Sequence, residues 1–240
     1  MVNPVTENKL TKRQLGQSRA ISESRYKTTK DEKRLLMLAM VSEHKDKMLK
    51  DRWFDFKLSE YAKTFNISMH ESSRDTQKAI EELQNRWIFL KQDDGGYEKV
   101  RWIDGIRSDT RYGKKGIRFT QEMVEVLKNN IEVYSYQLSE IVGLSSPEHI
   151  RIYDWVYDSL LEDGTGEVTL ELQEMLERMQ LHNHKSYRMY GNFKRVVMVP
   201  AINKINELTS LKVEYEEIKE GKKVVAVRFV GTMDLNEINN

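Results

Sequence analysis

One order of periodic segments occurs twice along this chain, and that repetition restricts the fold more than any other feature of the sequence. Behind the cap candidates Thr28 and Thr29, the stretch from Asp31 to Glu43 places Leu35, Leu36, Leu38, Ala39 and Val41 at helical spacing. WFDFKL, residues 53–58, is aromatic and alternating, as a short strand is, and Ser59 is placed to cap a short helix holding Tyr61, Ala62 and Phe65. After a break at Asn66, Ser68 to Arg86 predicts a third helix. Thr76, Ala79, Ile80, Leu83 and Trp87 form its inward stripe, and Arg74, Gln77 and Lys78 its outward face. Trp87 to Ile103 predicts two strands about an Asp-Asp-Gly-Gly turn. Helix, strand, helix, helix, hairpin is the order of a winged helix.

Thr120 to Asn129 predicts a linking helix, after which the same order returns without obvious sequence identity. Pro147 opens a helix carrying Ile150, Ile152, Tyr153, Trp155, Val156, Leu160 and Leu161, and Asp163-Gly164-Thr165-Gly166 stops it. Glu167-Val168-Thr169 predicts a strand, with Thr169 capping a helix over Leu170 to Met179. Tyr187 to Glu207 predicts a long helix with Phe193, Val197, Ala201 and Ile205 inward, kinked or broken at Pro200 because proline removes one backbone donor. LKVEYEEI and KVVAVRFV then alternate about Lys219-Glu220-Gly221-Lys222 as a second hairpin. The expected fold class is α+β, two winged-helix domains. Their expected bounds are 26–131 and 132–231, with an N-terminal arm at 1–25 and a tail at 232–240.

The chain of 240 residues is long enough for two such cores. It has no cysteine, which excludes disulfides, thiol nucleophiles and every cysteine-based zinc finger. No apolar run approaches the roughly 20 residues that span a bilayer, and MVNPVTENKLTKRQ has no apolar stretch of the kind a secretory signal needs. A cytoplasmic protein with no membrane partner is expected. The net charge of +1 conceals an uneven distribution. From Arg178 to Asn206 every charged residue is basic: Arg178, Lys185, Arg188, Lys194, Arg195 and Lys204. Lys99 to Arg118 is basic apart from Asp104 and Asp109, whereas Thr120 to Glu177 is acidic apart from Lys128 and Arg151. Local field rather than total charge attracts phosphate, so two basic regions flanking an acidic middle suit nucleic acid.

In a helix-turn-helix the helix after the turn presents its N-terminal side chains to base edges in the major groove. The candidates by position are Ser72, Ser73, Arg74, Gln77 and Lys78 in the first unit, and Arg188, Asn192, Lys194 and Arg195 in the second. Arginine forks onto guanine, and asparagine or glutamine onto adenine. Lys194 suits a phosphate, as do Lys91, Lys99, Arg101, Arg107, Lys222 and Lys223 on the hairpins. Any amphipathic helix has a charged solvent face, but here the basic face recurs at the same place in both units. Trp53, Trp87, Trp102 and Trp155 could stack on single-stranded bases, though their apolar neighbours favour core packing. The eleven methionines read as gap fillers.

Enzyme chemistry finds little support. His182, Asn183 and His184 with Tyr187 are a poor match to a metal-bound His pair serving a tyrosine nucleophile. The middle residue is polar, and the basic stretch around them holds no acidic ligand. No Gly-rich phosphate loop ending in Gly-Lys-Ser/Thr is present. No catalytic residue, metal or cofactor is expected. A tandem winged-helix transcriptional regulator, and a protein that binds DNA without sequence preference, fit these patterns as well.

IRIYDWVYDSL, a Thr-Leu-Glu-Leu helix, SYRMYGNFKRVVMVPAINKIN and LKVEYEEIKEGKKVVAVRF resemble the Rep family of iteron-binding plasmid replication initiators. LGQSRAISES, followed by Thr29, Glu32 and Lys33-Arg34-Leu35, is similar to the start of that family. The resemblance implies two pseudo-two-fold-related winged-helix domains, each covering half of an origin repeat of double-stranded DNA. It implies that Lys194 and Arg195, after Phe193, approach the groove with Arg188 beside them. It further implies opening of an AT-rich stretch and recruitment of the host initiator and replicative helicase. A dimer, formed largely through the first domain, would bind an inverted repeat and repress its own gene. Asp104 to Lys115 is expected to be the loop of the first wing and departs from the family's pattern in length.

Overall fold

Thr29 opens the first long helix as the sequence predicts. Its hydroxyl accepts from the Glu32 amide at 3.3 Å while the Glu32 carboxylate accepts from the Thr29 amide at 2.6 Å, so two otherwise orphaned donors are satisfied reciprocally. This computed structural model describes residues 14–17, 19–92, 94–129 and 134–233. They form two units, one mainly of Thr28–Gly143 and the other of Leu144 onward together with Ser22–Lys27.

The chain begins with β1 (Gln14–Gln17), α1 (Arg19–Glu23) and β2 (Arg25–Tyr26), then runs through α2 (Lys30–Ala39), α3 (Ser42–Asp51), β3 (Trp53–Lys57), α4 (Leu58–Thr64) and α5 (Met69–Leu83). The expected first helix is therefore two, since α2 stops at Met40 and a new helix starts at Ser42. Ser59 lies inside α4, whose cap position is Lys57. Ser68 and Glu71 make a second capping box at the start of α5. Leu35, Leu38, Ile80 and Leu83 are wholly buried, each such side chain contributing roughly 1.5–3 kcal/mol against exposure. Glu32 is equally buried and accepts from Arg86 Nε at 2.9 Å, which ties the start of α2 to the segment after α5.

Beyond α5 come β4 (Trp87–Lys91), β5 (Tyr97–Arg101), β6 (Ile103–Asp109) and β7 (Lys114–Phe119). Asp104 to Lys115 is thus not a loop but most of a second hairpin, β6–β7. Ile103 pairs with Phe119, Gly105 with Arg118 and Arg107 with Gly116, with a bulge after Ile103. β3 pairs with β7 and β7 with β6, in the order β3-β7-β6. α6 (Gln121–Asn129) is not a linker, because Met123, Val124 and Leu127 are buried in the first unit's core. β8 (Tyr134–Gln137), paired antiparallel with β1, and α7 (Leu138–Val142) complete that unit.

The second unit contains α8 (Pro147–Asp163), capped by Ser146 with Pro147 at its first position and ended by Gly164 at φ +74°. β9 (Glu167–Glu171) and α9 (Leu172–Arg178) follow, so Thr169 lies in the strand and Glu171 holds the cap position. The long helical segment is graded: a 3-10 turn at Lys185–Arg188, α10 (Tyr190–Phe193), a π-helical stretch at Lys194–Met198 and α11 (Val199–Leu208). The break expected at Pro200 takes that form. Pro200 offers no donor to Val196, and the Val199 amide instead reaches back five residues to the Lys194 carbonyl. β10 (Lys212–Glu220) and β11 (Lys223–Thr232) form the final hairpin, and the sheet order is β10-β11-β9.

Ser22–Lys27 belongs to the second unit through a buried arginine that no periodicity reveals. Arg151 donates to the carbonyls of Ser22 at 3.2 Å and Ser24 at 2.7 Å, and Trp155 Nε1 donates to Ser22 at 3.0 Å. Burial lowers the pKa of Arg151, so the hydrogen bonds that it donates to backbone carbonyls are a condition of keeping the charge there.

Candidate nucleic-acid interface

The two sheets identify the wings. In each unit the strand before the helix pair, β3 or β9, pairs with the last strand, β7 or β11, which pairs in turn with the strand before it. The wing of the first unit is therefore β6–β7, and β4–β5 is an additional hairpin with no counterpart in the second. Lys99 and Arg101, expected on the wing, stand on β5, over the Trp87 ring at 4.3 and 4.8 Å. Lys91 is on β4 and likewise off the wing. Arg107 does belong to the wing, but it forks onto Asp55 and lies 4.0 Å over Trp53. Sequence reasoning missed the true tip, Arg111, Tyr112 and Lys114, where Tyr112 is 64% exposed and Gly113 turns the chain at φ +58°. The available signal was Tyr112-Gly113, a glycine-bearing turn between Ile103-Asp104-Gly105-Ile106 and Gly116-Ile117-Arg118-Phe119.

On α5, Ser73, Arg74, Gln77 and Lys78 share the exposed side, as expected. Ser72 does not: it is fully buried, and its hydroxyl donates to the Leu58 carbonyl at 2.7 Å, pinning α5 to α4. Ser72 therefore leaves the set of candidate DNA contacts. The remaining side chains have acidic company along the same helix. Arg74 donates to Asp75 at 2.8 Å, Gln77 to Glu81 at 2.6 Å, and Lys78 lies 3.9 Å from Glu82. Lys115 of β7 reaches into the helix and donates to the Ser73 carbonyl, the Thr76 hydroxyl and the Gln77 amide oxygen at 3.0 to 3.2 Å. Its burial holds its pKa below that of an ordinary lysine.

The second unit is organised differently. Its helix after the turn has no acidic residue from Arg178 to Asn206, and its latch to the wing comes from the opposite charge. Glu217 on β10 accepts from Lys194 at 2.8 Å and from the Tyr190 hydroxyl at 3.0 Å, with Lys219 at 3.3 Å. The hydrogen bond from Lys194 is the main reason that the Glu217 carboxyl titrates below its usual range, and Glu217 raises Lys194 in return. Burial, then Glu217, push Tyr190 well above a normal phenol. Asn192 donates its amide to the Ser186 carbonyl at 3.0 Å. Lys194 and Asn192 are therefore engaged within the unit, whereas Arg188 and Arg195 are exposed and carry no ion pair among the described residues. Lys222 and Lys223 stand exposed at the wing tip, beside Gly221 at φ +60°. A cleft of about 550 Å³ between α9, the turn and the wing is lined by His182, Asn183, Arg188 and Lys223 among others.

The helix–wing faces bring cations and amides to exposed surfaces. His184 stacks on Tyr187 at 4.6 Å and its Nδ1 meets Ser186 Oγ at 2.8 Å, so both groups serve the turn. Among the described residues, no group of three histidine, cysteine or acidic side chains is arranged to hold a metal. Trp102 and Trp155 are buried, while Trp53 and Trp87 are half-buried beneath cations rather than presented for stacking. No helix among the described residues is long and apolar enough to cross a membrane.

Known proteins share this arrangement. The family model described as initiator replication protein, WH1, matches residues 14–157, and that described as initiator Rep protein, WH2, matches residues 171–230. An uncharacterized 27.6 kDa protein of Escherichia coli is 25% identical over 219 residues, covering 86% of this chain and 90% of that protein. A replication initiation protein of Escherichia coli is 21% identical over 193 residues, 79% of this chain and 60% of that longer protein. Among solved structures, the Pi initiator protein in complex with iteron DNA aligns with a TM-score of 0.69 at 18% identity, over 95% of this chain and 100% of that one. At that identity the likeness establishes the fold.

Proposed function

The chain belongs to the Rep family of replication initiator proteins, matched through both its winged-helix parts, and from that premise we propose that it starts replication of a plasmid by binding direct repeats at the origin. The observation that carries the reading is the acid-free helix of the second unit, whose Arg188 and Arg195 face outward beside a wing tipped by Lys222 and Lys223. Arginine supplies the bidentate guanine contact and the wing lysines neutralise phosphate. The Pi initiator's complex with iteron DNA supports the same partner, a double-stranded repeat, for this chain.

Each unit takes one half of a repeat, the second unit carrying most of the affinity. In the first unit Arg74, Gln77 and Lys78 must exchange partners on α5 for bases or phosphates, which weakens their net contribution. Ser73 and the wing-tip cations Arg111 and Lys114 complete that half. Binding in the cytoplasm promotes opening of an adjacent AT-rich stretch and brings the host initiator and replicative helicase to it. The protein itself contributes positioning and no bond-making step. As a dimer it represses its own gene.

A footprint on the DNA flanking the gene, at about physiological salt with competitor DNA, tests the reading. Protection of regularly spaced direct repeats, each about two turns or roughly 20 base pairs long, is the expected result. Protection of a single operator would instead make the protein a transcriptional regulator, and uniform affinity for all duplexes would remove sequence-specific recognition altogether.

A further inference from the structure

The helix that carries Arg188 and Arg195 also exposes two large apolar side chains. Met189 is 69% and Val196 46% exposed, although Phe193, Val197, Met198, Ala201 and Ile205 of the same segment are buried. Singly scattered apolar residues on a surface call for no explanation. These two are not scattered, since each directly follows an arginine that has no ion pair among the described residues: Met189 stands between the 3-10 turn and α10, and Val196 stands in the π-helical stretch. Asn192 and Lys194, which lie between them, are held by Ser186 and Glu217. What the segment exposes at both places is therefore a guanidinium beside hydrocarbon. The π-helical stretch at Lys194–Met198 contains the second pair.

We infer that Met189 and Val196 are specificity-determining residues that read the C5-methyl groups of thymines in the major groove, next to bases or phosphates taken by Arg188 and Arg195. The major-groove edge of a base pair offers one apolar group, the thymine methyl, and an aliphatic side chain is its complement. The charge of the adjoining arginines selects DNA over an apolar protein surface as the occupant of this face. In the first unit Met69, the first residue of α5, is likewise exposed, at 52%, behind the Ser68 cap, though no arginine precedes it. The inference rests on the proposed binding of origin repeats and adds which bases within them are recognised.

Uracil differs from thymine only by that methyl. Duplexes carrying one protected repeat are made with each thymine replaced in turn by deoxyuridine. Binding is measured by fluorescence anisotropy for the natural protein, Val196→Ala and Met189→Ala, with urea midpoints confirming that the exposed substitutions leave folding intact. For the natural protein, uracil at one or more positions is expected to weaken binding about four-fold, the value of one buried methyl group. Val196→Ala is expected to lose sensitivity at one of those positions and Met189→Ala at another. Equal sensitivity of all three proteins at every position, or no sensitive thymine in a repeat that the protein protects, overturns the inference and leaves the proposed function standing. Failure to protect any repeat overturns both.

Discussion

Lys115 of the first wing donates to the side-chain oxygen of Gln77 on α5 at 3.0 Å. In the second unit Glu217 of the wing accepts from Lys194, the first residue of the π-helical stretch, at 2.8 Å. Both units thus join wing to helix by one polar latch, built with opposite charge. In the first unit the latch also fixes which way the Gln77 amide points, because its nitrogen is committed to Glu81.

Lys115→Met keeps the aliphatic stem and removes the ammonium. The Ser73 carbonyl, Thr76 and Gln77 each lose a donor, while the charge that burial disfavours is also relieved, so the net loss of stability is expected to be about 1–2 kcal/mol. A urea midpoint that falls with unchanged slope would check it. Specific affinity should fall more than affinity for random DNA, since Gln77 loses its orientation.

Glu217 gives a pH signature. Its folded pKa lies below its ordinary 4.5, so its stabilising contribution is present above 4.5 and is lost as pH falls through the folded value. Lys194 is raised above 10.5, so its share is full below 10.5 and is lost as pH rises through the folded value. The stability difference between the natural protein and Glu217→Gln should therefore be greatest in the neutral range and shrink in acid and in strong alkali. Denaturant midpoints across pH 3 to 7 test the acid arm. A difference that does not change over that range would show that the pair carries no linked proton.

Helices and hairpins with strong periodicity were legible in the sequence: the starts of the two capping-box helices, the Pro147 start, the final hairpin and the inward Thr76, Ala79, Ile80 and Leu83 of α5 stand where the residues place them, whereas Trp87, expected in that stripe, opens β4 half-buried. What was not legible depended on tertiary partners. Ser72 has the composition of a base contact, but its hydroxyl is taken by Leu58 across a turn. Asp104 to Lys115 reads as a loop because glycine and charge interrupt it, yet pairing with β3 makes it a strand pair. Arg151 stands as an isolated cation in an acidic stretch, and only the return of Ser22–Lys27 explains it. Of the eleven methionines, two of those taken as fillers, Met69 and Met189, are exposed, Met69 at the start of α5 and Met189 just before α10.

The reassigned wing predicts a contrast in salt dependence. Arg111→Ala and Lys114→Ala, at the β6–β7 tip, should each reduce the slope of log affinity against log salt by about 0.9 if each neutralises one phosphate. Lys99→Ala and Arg101→Ala, on the extra hairpin over Trp87, should leave it unchanged. Titrations at several salt concentrations separate the two sets, and a slope that responds only to the β5 pair would return the wing role to β4–β5.

Within the second unit, Arg195→Ala is expected to weaken binding to the repeat by roughly 1–3 kcal/mol with a much smaller effect on random DNA. Lys222→Ala should act on both almost equally, through the salt slope. Lys194→Ala should cost less specific affinity than Arg195→Ala, because its ammonium is already committed to Glu217. Competition titrations against random duplex read all three, and equal loss on both DNAs for Arg195→Ala would make it a phosphate contact.

Gly231 near the end of β11 donates its amide to the Gly166 carbonyl at 2.8 Å, and this close approach joins the last strand to the turn after α8. A Cβ at Gly231 would fall inside the van der Waals envelope of Val156, a fully buried residue of α8. Valine in a helix has essentially one rotamer and cannot turn aside, so the backbone must shift instead. Gly231→Ala is therefore expected to destabilise the protein by about 1–3 kcal/mol. Gly221→Ala, at the wing tip with φ +60° and open space around it, meets only the left-handed backbone penalty of about 1–2 kcal/mol, and Gly221→Asn should recover much of that. Urea midpoints of the three variants distinguish crowding from backbone strain. A Gly231→Ala protein as stable as the natural one would mean that β11 and α8 are not held at this distance.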